Sequence, residues 1–408
     1  MKSALIFFYK KSNRYSYNAL IGALEKYFQL SGIDIFIPSN EQNLLQILKN
    51  ISNNYKLIIL TISFFTTQVF ETIELIKKVK FLNIKNLKLI AGGPHPTGEP
   101  ERTLKIGFDF VLVGEGEITF PEAIIKIINN ESIPQIIYPQ NKIDLNDFFP
   151  LPRLKIKKFG PIEITRGCPF FCNFCQTSRI FGGKVRHRSI ENILDIIKYL
   201  KKENRTDIRF ITPNAFAYGS KNGREINFKA IEILLKEIKN ILKDDGRIFF
   251  GSFPSEVRPE HVNEDTVSII KKYCSNDNIV IGAQSGSEKI LKLSNRQHGV
   301  KDIFNAVKIT KKFGLTPNVD FIFGLPGEDE NDIIETLNVM RELITLGARI
   351  HAHTFMPLPQ TPYKKSPPGK ISKLFYNEFK HDIPDGIIFG NYIQQEKLAE
   401  KIYNYFNS

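Results

Sequence analysis

The sequence predicts an α/β chain in two parts, a doubly wound parallel sheet followed by a partial (β/α)6 barrel. Three observations carry that expectation. Short apolar runs alternate with helix-period segments over the first 130 residues, the alternation resumes at Pro161, and a proline-containing stretch of little periodicity lies between them. A chain of 408 residues suits about two to three domains. With 42% hydrophobic and 24% charged residues it can bury a core and is not disordered.

In the first part, strands are expected at 4–9, 33–38, 57–63, 87–91 and 108–113. Several are apolar on successive residues, as strands covered on both faces must be. Leu44, Leu45, Ile47 and Leu48, then Ile73, Leu75, Ile76 and Val79, mark amphipathic helices between them. A further helix is expected to open at Thr119, its hydroxyl capping while Glu122 reaches back, with Pro121 in the first turn. Five strands alternating with helices give a flavodoxin-like or Rossmann-like order, which binds ligands in loops at the carboxyl ends of its strands. Those loops read Thr61-Ile62-Ser63, Gly92-Gly93-Pro94-His95-Pro96-Thr97-Gly98 and Gly114-Glu115-Gly116-Glu117.

Residues 131–160, with four prolines, read as a linker between a first domain at 1–130 and a barrel at 161–362. Barrel strands are expected at 161–165, 208–212, 247–251, 279–283, 319–323 and 350–355. Ser189 is a candidate N-cap for a helix carrying Ile190, Ile193, Leu194, Ile197 and Leu200. Another helix is expected over 330–346, stopped by Gly347. Six strand–helix units make a TIM-type barrel short of the usual eight. Residues 363–408 read as a basic extension ending in a helix.

Net charge is +13, but the lysines fall as doublets on helices (Lys77-Lys78, Lys201-Lys202, Lys271-Lys272, Lys311-Lys312), the pattern of solvated faces. That favours solvated faces over a nucleic-acid groove without excluding one. The longest uncharged apolar run, 57–70, is too short and too polar to span a membrane. The start of the chain lacks a small-residue cleavage site and reads as a first strand, so a cytoplasmic location is expected. Four cysteines are too few for a disulfide scaffold, and three of them crowd into eight residues, which points to metal or redox chemistry.

That crowded segment is Cys168-Pro169-Phe170-Phe171-Cys172-Asn173-Phe174-Cys175, directly after a barrel strand. Three thiolates on a curved loop suit an iron–sulfur cube and leave its fourth iron open for substrate. The alternatives are a zinc knuckle completed by His187 or Cys274, and an electron-transfer cluster using Cys274.

The Cys-x3-Cys-x2-Cys spacing, with Phe174 before the third cysteine, resembles the hallmark of the radical S-adenosylmethionine (SAM) superfamily. The resemblance implies that Cys168, Cys172 and Cys175 hold one 4Fe-4S cluster. It also implies that the open iron chelates SAM, and that an electron cleaves the sulfonium to a 5′-deoxyadenosyl radical. Further loops resemble the family's SAM-binding segments in order. Asn214 stands where relatives contact the amino group, and Ser252 and Arg258 follow the third strand, near the carboxylate. Gln284 and Ser285 lie in the fourth-strand segment with Asn295-Arg296, near the ribose, and Phe323 in the fifth-strand segment, near the adenine.

Residues 1–130 resemble the cobalamin-binding-type domain that precedes many radical SAM cores, and the connector Ile143-Asp144-Leu145-Asn146-Asp147 resembles its usual linker. Ser63, Gly92, Gly93, His95, Thr97, Gly114, Glu115 and Gly116 are the implied cobalamin contacts. The loop after the first strand, Lys10-Lys11-Ser12-Asn13-Arg14-Tyr15-Ser16-Tyr17, lacks the Asp-x-His-x-x-Gly of domains that ligate cobalt through histidine. His95, on another loop, reads as a packing residue before a cobalt ligand. A Rossmann-like domain that has lost its cofactor is the alternative. The resemblance covers about nine-tenths of the chain, everything before residue 363.

Such an architecture implies methyl transfer from methylcobalamin to an unactivated carbon, fed by an external donor such as ferredoxin or flavodoxin. The rivals are a methylthiotransferase-like enzyme, a cobalamin-free rearrangement enzyme, and a non-enzymatic iron–sulfur module. A methylthiotransferase needs three more cysteines in its first domain, and residues 1–167 contain none. His351 and His353, two apart on the sixth barrel strand, share a face and are candidate substrate contacts. The substrate itself is not legible in the sequence.

Overall fold

A computed structural model describes residues 2–27, 32–154 and 156–408, so Lys155 of the expected linker lies outside the described residues. The chain divides into two compact units, residues 1–160 and 161–408.

The first unit is built on six parallel strands: β1 (Ser3–Phe7), β2 (Ile33–Phe36), β3 (Leu57–Ser63), β4 (Leu87–Gly92), β5 (Phe110–Leu112) and β6 (Ile136–Ile137). Their order, β2-β1-β3-β4-β5-β6, contains the expected flavodoxin-like arrangement. Every residue of β1 is buried, because helices cover both faces of the sheet. Leu5, Phe7, Ile59 and Ile90 pack against Tyr17, Ile21 and Leu24 of helix Arg14–Tyr27 and Phe120 and Ile124 of helix Gly116–Ile128.

Two expectations are corrected here. The helix expected at Thr119 begins three residues earlier, at Gly116, and its Pro121 is interior. The Thr119 hydroxyl donates to the Glu115 carbonyl at 3.3 Å instead of capping, because that carbonyl lies one turn back once the helix has started. Residues 131–160 are not an independent linker. They add β6 at the sheet edge, and Ile143, Leu145 and Phe148 bury themselves against Ala23.

The second unit contains β7 (Ile162–Glu163), β8 (Thr165–Arg166), β9 (Arg186–His187), β10 (Asp207–Ile211), β11 (Arg247–Phe249), β12 (Asn278–Gln284), β13 (Thr316–Phe323), β14 (Arg349–Thr354) and β15 (Ile388–Phe389). All six expected barrel strands form. The parallel sets β11-β10-β7 and β12-β13-β14-β15 are joined by a parallel bridge between Val257 and Ile281. The extension expected at 363–408 contributes β15, a seventh barrel strand paired with β14, and helix Tyr392–Asn407. Along β13, Val319, Phe321 and Phe323 point to the helices, so by the two-residue period Asn318, Asp320 and Ile322 face the lumen. Ser189 caps its helix as expected, accepting from the Asn192 amide, and helix Glu330–Thr345 ends just before Gly347 (φ +86°).

Candidate active site

The three clustered cysteines lie on the loop leaving the short strands β7 and β8, at the carboxyl end of the parallel strands. This loop is tied at many points. The Cys168 amide donates to the Gly182 carbonyl at 3.1 Å, and the Ser178 hydroxyl donates to the Cys168 carbonyl at 2.8 Å. Asn295 Nδ2 reaches the Phe170 carbonyl at 2.9 Å, and Arg224 donates to the Pro169 carbonyl at 2.8 Å. Phe174 packs against Ile290, Leu325 and Phe355. Such a loop is held in shape by its neighbours before any metal arrives.

Two arginines converge on its middle cysteine. Arg296 Nη1 lies 3.4 Å and Arg258 Nη1 4.0 Å from Cys172 Sγ, and all three residues are buried. The Arg258 guanidinium also stacks over Phe170 at 3.6 Å and bonds Glu260 and the Arg296 carbonyl. Burial, together with the charge of Arg296, lowers the proton affinity of Arg258. Burial and the same two arginines push His298 down to about 2, so a neutral imidazole donates from Nε2 to the Ala283 carbonyl at 3.1 Å. Burial likewise pushes the Cys168 and Cys175 thiols up, so deprotonation there has to be driven by a bound cation.

The donor set fits an iron–sulfur cube. Among the described residues only Asp320, His351 and His353 bring three ligand atoms within 4.8 Å of one another; the cysteine sulfurs are spread more widely. A single zinc ion would draw them to within about 4 Å, given Zn–S bonds near 2.3 Å. The two residues weighed as a fourth ligand are placed elsewhere. His187 has both ring nitrogens engaged, with Thr165 Oγ1 at 2.9 Å and the Ser220 carbonyl at 2.8 Å. Cys274 follows helix Glu264–Tyr273 and precedes β12, at the opposite end of the barrel strands.

The other sequence candidates divide. Ser252 sits after β11 at 4% exposure, and among the described residues its buried Oγ has no hydrogen-bond partner, an open donor for a ligand. Gln284, at the end of β12, is buried with φ +78°. Asn214 donates to His261 Nδ1 at 2.7 Å and accepts from the Arg258 amide at 3.3 Å, so both ends of its amide hold the Arg258 loop. The Ser285 hydroxyl lies 3.3 Å from Thr336 Oγ1 on helix Glu330–Thr345, behind the sheet. Phe323 packs on Phe375 with ring centroids 4.9 Å apart.

His351 and His353 both face the barrel lumen. His351 Nδ1 lies 2.9 Å from Asp320 Oδ1, and the two imidazoles are 4.0 Å apart. Burial and the Asp320 charge push the Glu256 carboxyl up to about 7, although it is open to solvent; it stands in a lumen walled by protein. The sequence reading missed Asp320, Arg224, His261 and His298. A charge between Val319 and Phe321 in an otherwise apolar strand was the available signal for Asp320.

In the first unit the implied cobalamin residues gather at the carboxyl ends of β3, β4 and β5. The Thr97 hydroxyl accepts from the Gly114 amide at 2.9 Å, tying two loops together. Ser63 is held from below, its amide by the Tyr17 hydroxyl at 3.1 Å and its carbonyl by Asn13 Nδ2 at 2.9 Å. Glu115 is buried and 3.4 Å from Lys142 Nζ. At Gly92 a Cβ would meet only the Leu112 carbonyl, at 4.0 Å, and Phe65 nearby is 41% exposed. A side-chain-free backbone beside an exposed aromatic ring suits a flat, apolar-edged ligand such as a corrin. His95 is fully buried, stacked on Phe64 and 3.2 Å from Thr66 Oγ1, so it supports the loop from inside. Gly116 lies at the helix start, where a Cβ would strike Leu20 at 2.7 Å.

Comparison with known families matches residues 162–340 to the radical SAM superfamily and residues 16–124 to the B12 binding domain. The chain carries a radical SAM domain and, ahead of it, a B12-binding domain. This radical SAM protein takes a 4Fe-4S cluster and SAM in its second unit and carries a B12-binding domain in its first. It is 27% identical over 304 residues to an uncharacterized methyltransferase of Pyrococcus horikoshii, covering 68% of this chain and 62% of that one. It is 30% identical over 279 residues to a putative methylthiotransferase of Methanocaldococcus jannaschii, covering 65% and 59%. The chain thus spans about three-fifths of the length of these relatives. In fold it is similar to the radical S-adenosylmethionine methyltransferase TsrM from Kitasatospora setae, a structure with cobalamin and a [4Fe-4S] cluster bound. The TM-score is 0.69 at 14% identity, covering 90% of this chain and 78% of that one.

Proposed function

We propose that this radical SAM protein is a cobalamin-dependent methyltransferase acting on an unactivated carbon. The observation that carries the reading is the pairing, in one chain, of a B12-binding domain with a barrel whose cysteine loop is backed by two buried arginines. When bound, the cluster with SAM supplies a 5′-deoxyadenosyl radical, and cobalamin supplies the methyl group. Cys168, Cys172 and Cys175 hold the cluster. Arg258 and Arg296 place positive charge beside the thiolate and toward the SAM carboxylate, while the unpartnered Ser252 hydroxyl offers a hydrogen bond to the same ligand. Gln284, at the strand end, closes the wall of that pocket, while Phe323 backs the strand from the helix side, packed on Phe375. In the first unit Ser63, Gly92, Gly93, Gly114 and Gly116 form the edge that receives the corrin, with His95, Thr97 and Glu115 supporting it.

A radical SAM enzyme needs a low-potential electron donor, and we assign that role to a ferredoxin or flavodoxin. An anaerobic cytoplasm suits a cluster with an open iron; among the described residues no helix is long and apolar enough to cross a membrane. The methylthiotransferase reading is disfavoured because the first 167 residues contain no cysteine for a second cluster.

The test is anaerobic reconstitution with iron, sulfide, methylcobalamin, SAM and a reductant. Retention of cobalamin and release of both S-adenosylhomocysteine and 5′-deoxyadenosine are expected on turnover. A protein that cleaves SAM but takes up no cobalamin would overturn methyl transfer and leave the radical core standing.

A further inference from the structure

A second ligand set, distinct from the cysteines, lies inside the barrel. Asp320 on β13 pairs in register with His351 on β14, and His353 is two residues further along the same face. All three side chains therefore point into the lumen. Asp320 Oδ1 lies 2.9 Å from His351 Nδ1 and 3.8 Å from His353 Nε2, and the three ligand atoms fall within 4.8 Å of one another. The longer separation is beyond hydrogen-bond reach. It is close to the spacing of two donors that share a cation at bonds of about 2.1 Å.

We propose that Asp320, His351 and His353 hold one divalent transition-metal ion, of the zinc or iron(II) class, in the barrel lumen. Two imidazoles and one carboxylate are the donor set such ions take when coordination positions are left open. The surroundings hold the ligands in place. The His351 ring lies flat against Phe389 of β15, centroids 4.7 Å apart and planes 8° apart. Asp320 is 3% exposed, while the histidines border the open lumen. Gln395 Nε2 lies 3.4 Å from His353 Nδ1 and makes only a weak bond there. A metal on Nε2 leaves the proton on Nδ1, facing the Gln395 side chain, whose carbonyl is held by the Thr354 amide at 2.9 Å. The remaining positions on the ion face the lumen and would take an oxygen or nitrogen of the substrate, the ion acting as a Lewis acid that orients it. The site stands independently of the cobalamin chemistry.

Zinc is the probe. The full-length, cluster-loaded protein is dialysed anaerobically against Zn2+, and zinc, iron and cobalt are measured separately. One zinc per chain is expected. It should persist in the Cys168→Ala/Cys172→Ala/Cys175→Ala variant, which removes competing thiolates. His351→Ala, His353→Ala and Asp320→Asn should each weaken zinc binding by at least about tenfold while cluster iron stays at the parent level. The retained iron shows that those variants have folded. Zinc stoichiometry that is zero, or unchanged by all three lumen substitutions, would overturn the proposal and leave a hydrogen-bonded Asp–His pair.

Discussion

The Arg296 guanidinium lies 3.4 Å from the Cys172 sulfur, 124 residues away in sequence, and also bonds the Gly282 carbonyl, joining the cysteine loop to β12. A buried cation at that distance stabilises negative charge on the thiolate and on anything the cluster binds. Arg296→Met should leave the three cysteines able to assemble a cluster but lower its reduction midpoint. Cleavage of SAM should slow roughly tenfold or more, the equivalent of ~1.5–3 kcal/mol for one charge-assisted bond. Redox titration followed by electron paramagnetic resonance measures the first effect and 5′-deoxyadenosine release the second; if neither moves, the arginine is only a packing group.

Replacing any one of Cys168, Cys172 or Cys175 by alanine should remove the cluster and abolish SAM cleavage, as judged by iron and acid-labile sulfide analysis. Cys274→Ala should change neither, because Cys274 sits at the far end of the strands. A cluster lost with Cys274 would show that the cube has four protein ligands and no open iron.

Gly93 adopts φ +99°, and a Cβ there would meet Ser63 Oγ at 2.8 Å and the Phe64 amide at 3.0 Å. Gly93→Ala should destabilise the first unit by about 1–3 kcal/mol, the cost of backbone strain and a clash at a fixed turn. Gly32→Ala is the control, since at Gly32 (φ +95°) a Cβ would meet nothing within 4 Å among the described residues. Thermal unfolding of the two variants separates conformation from contact: equal losses would mean that the Ser63 crowding contributes nothing.

Glu328 accepts from the Gly324 amide at 2.7 Å, and burial pushes its carboxyl from 4.5 up to about 7. The folded chain therefore holds a proton that the unfolded chain has released. Stability from this group is complete below about pH 4.5 and is lost as pH rises through about 7, by up to about 3 kcal/mol. Glu328→Gln, which cannot ionise, should be the more stable protein at pH 8 relative to the parent, with the gap closing toward pH 5. Denaturant midpoints across that range would show it, and parallel pH curves for the two proteins would refute it.

The elements most legible in the sequence were those whose pattern is local. The buried strand at 57–63, the six barrel strands, the Ser189 cap and the cysteine spacing all follow from side-chain period and from bonds between residues a few positions apart. The start of the helix at Gly116 was misread, because its N-cap, Glu115, makes no side-chain cap bond to signal it. Residues 131–160 read as a linker because contacts such as Phe148 beside Ala23 are made with chain more than a hundred residues away.

By itself, then, the amino-acid order determined which parts of this chain are strand and helix and that three thiols lie on one tight loop. Tertiary structure alone decided which distant groups face them. Arg258 and Arg296 beside Cys172, and Asp320 opposite His351, are brought together by the parallel pairing of strands whose register depends on the whole barrel closing. Such pairings leave no spacing signature, because their separation along the chain is set by the length of the intervening helices and loops and not by the chemistry they join.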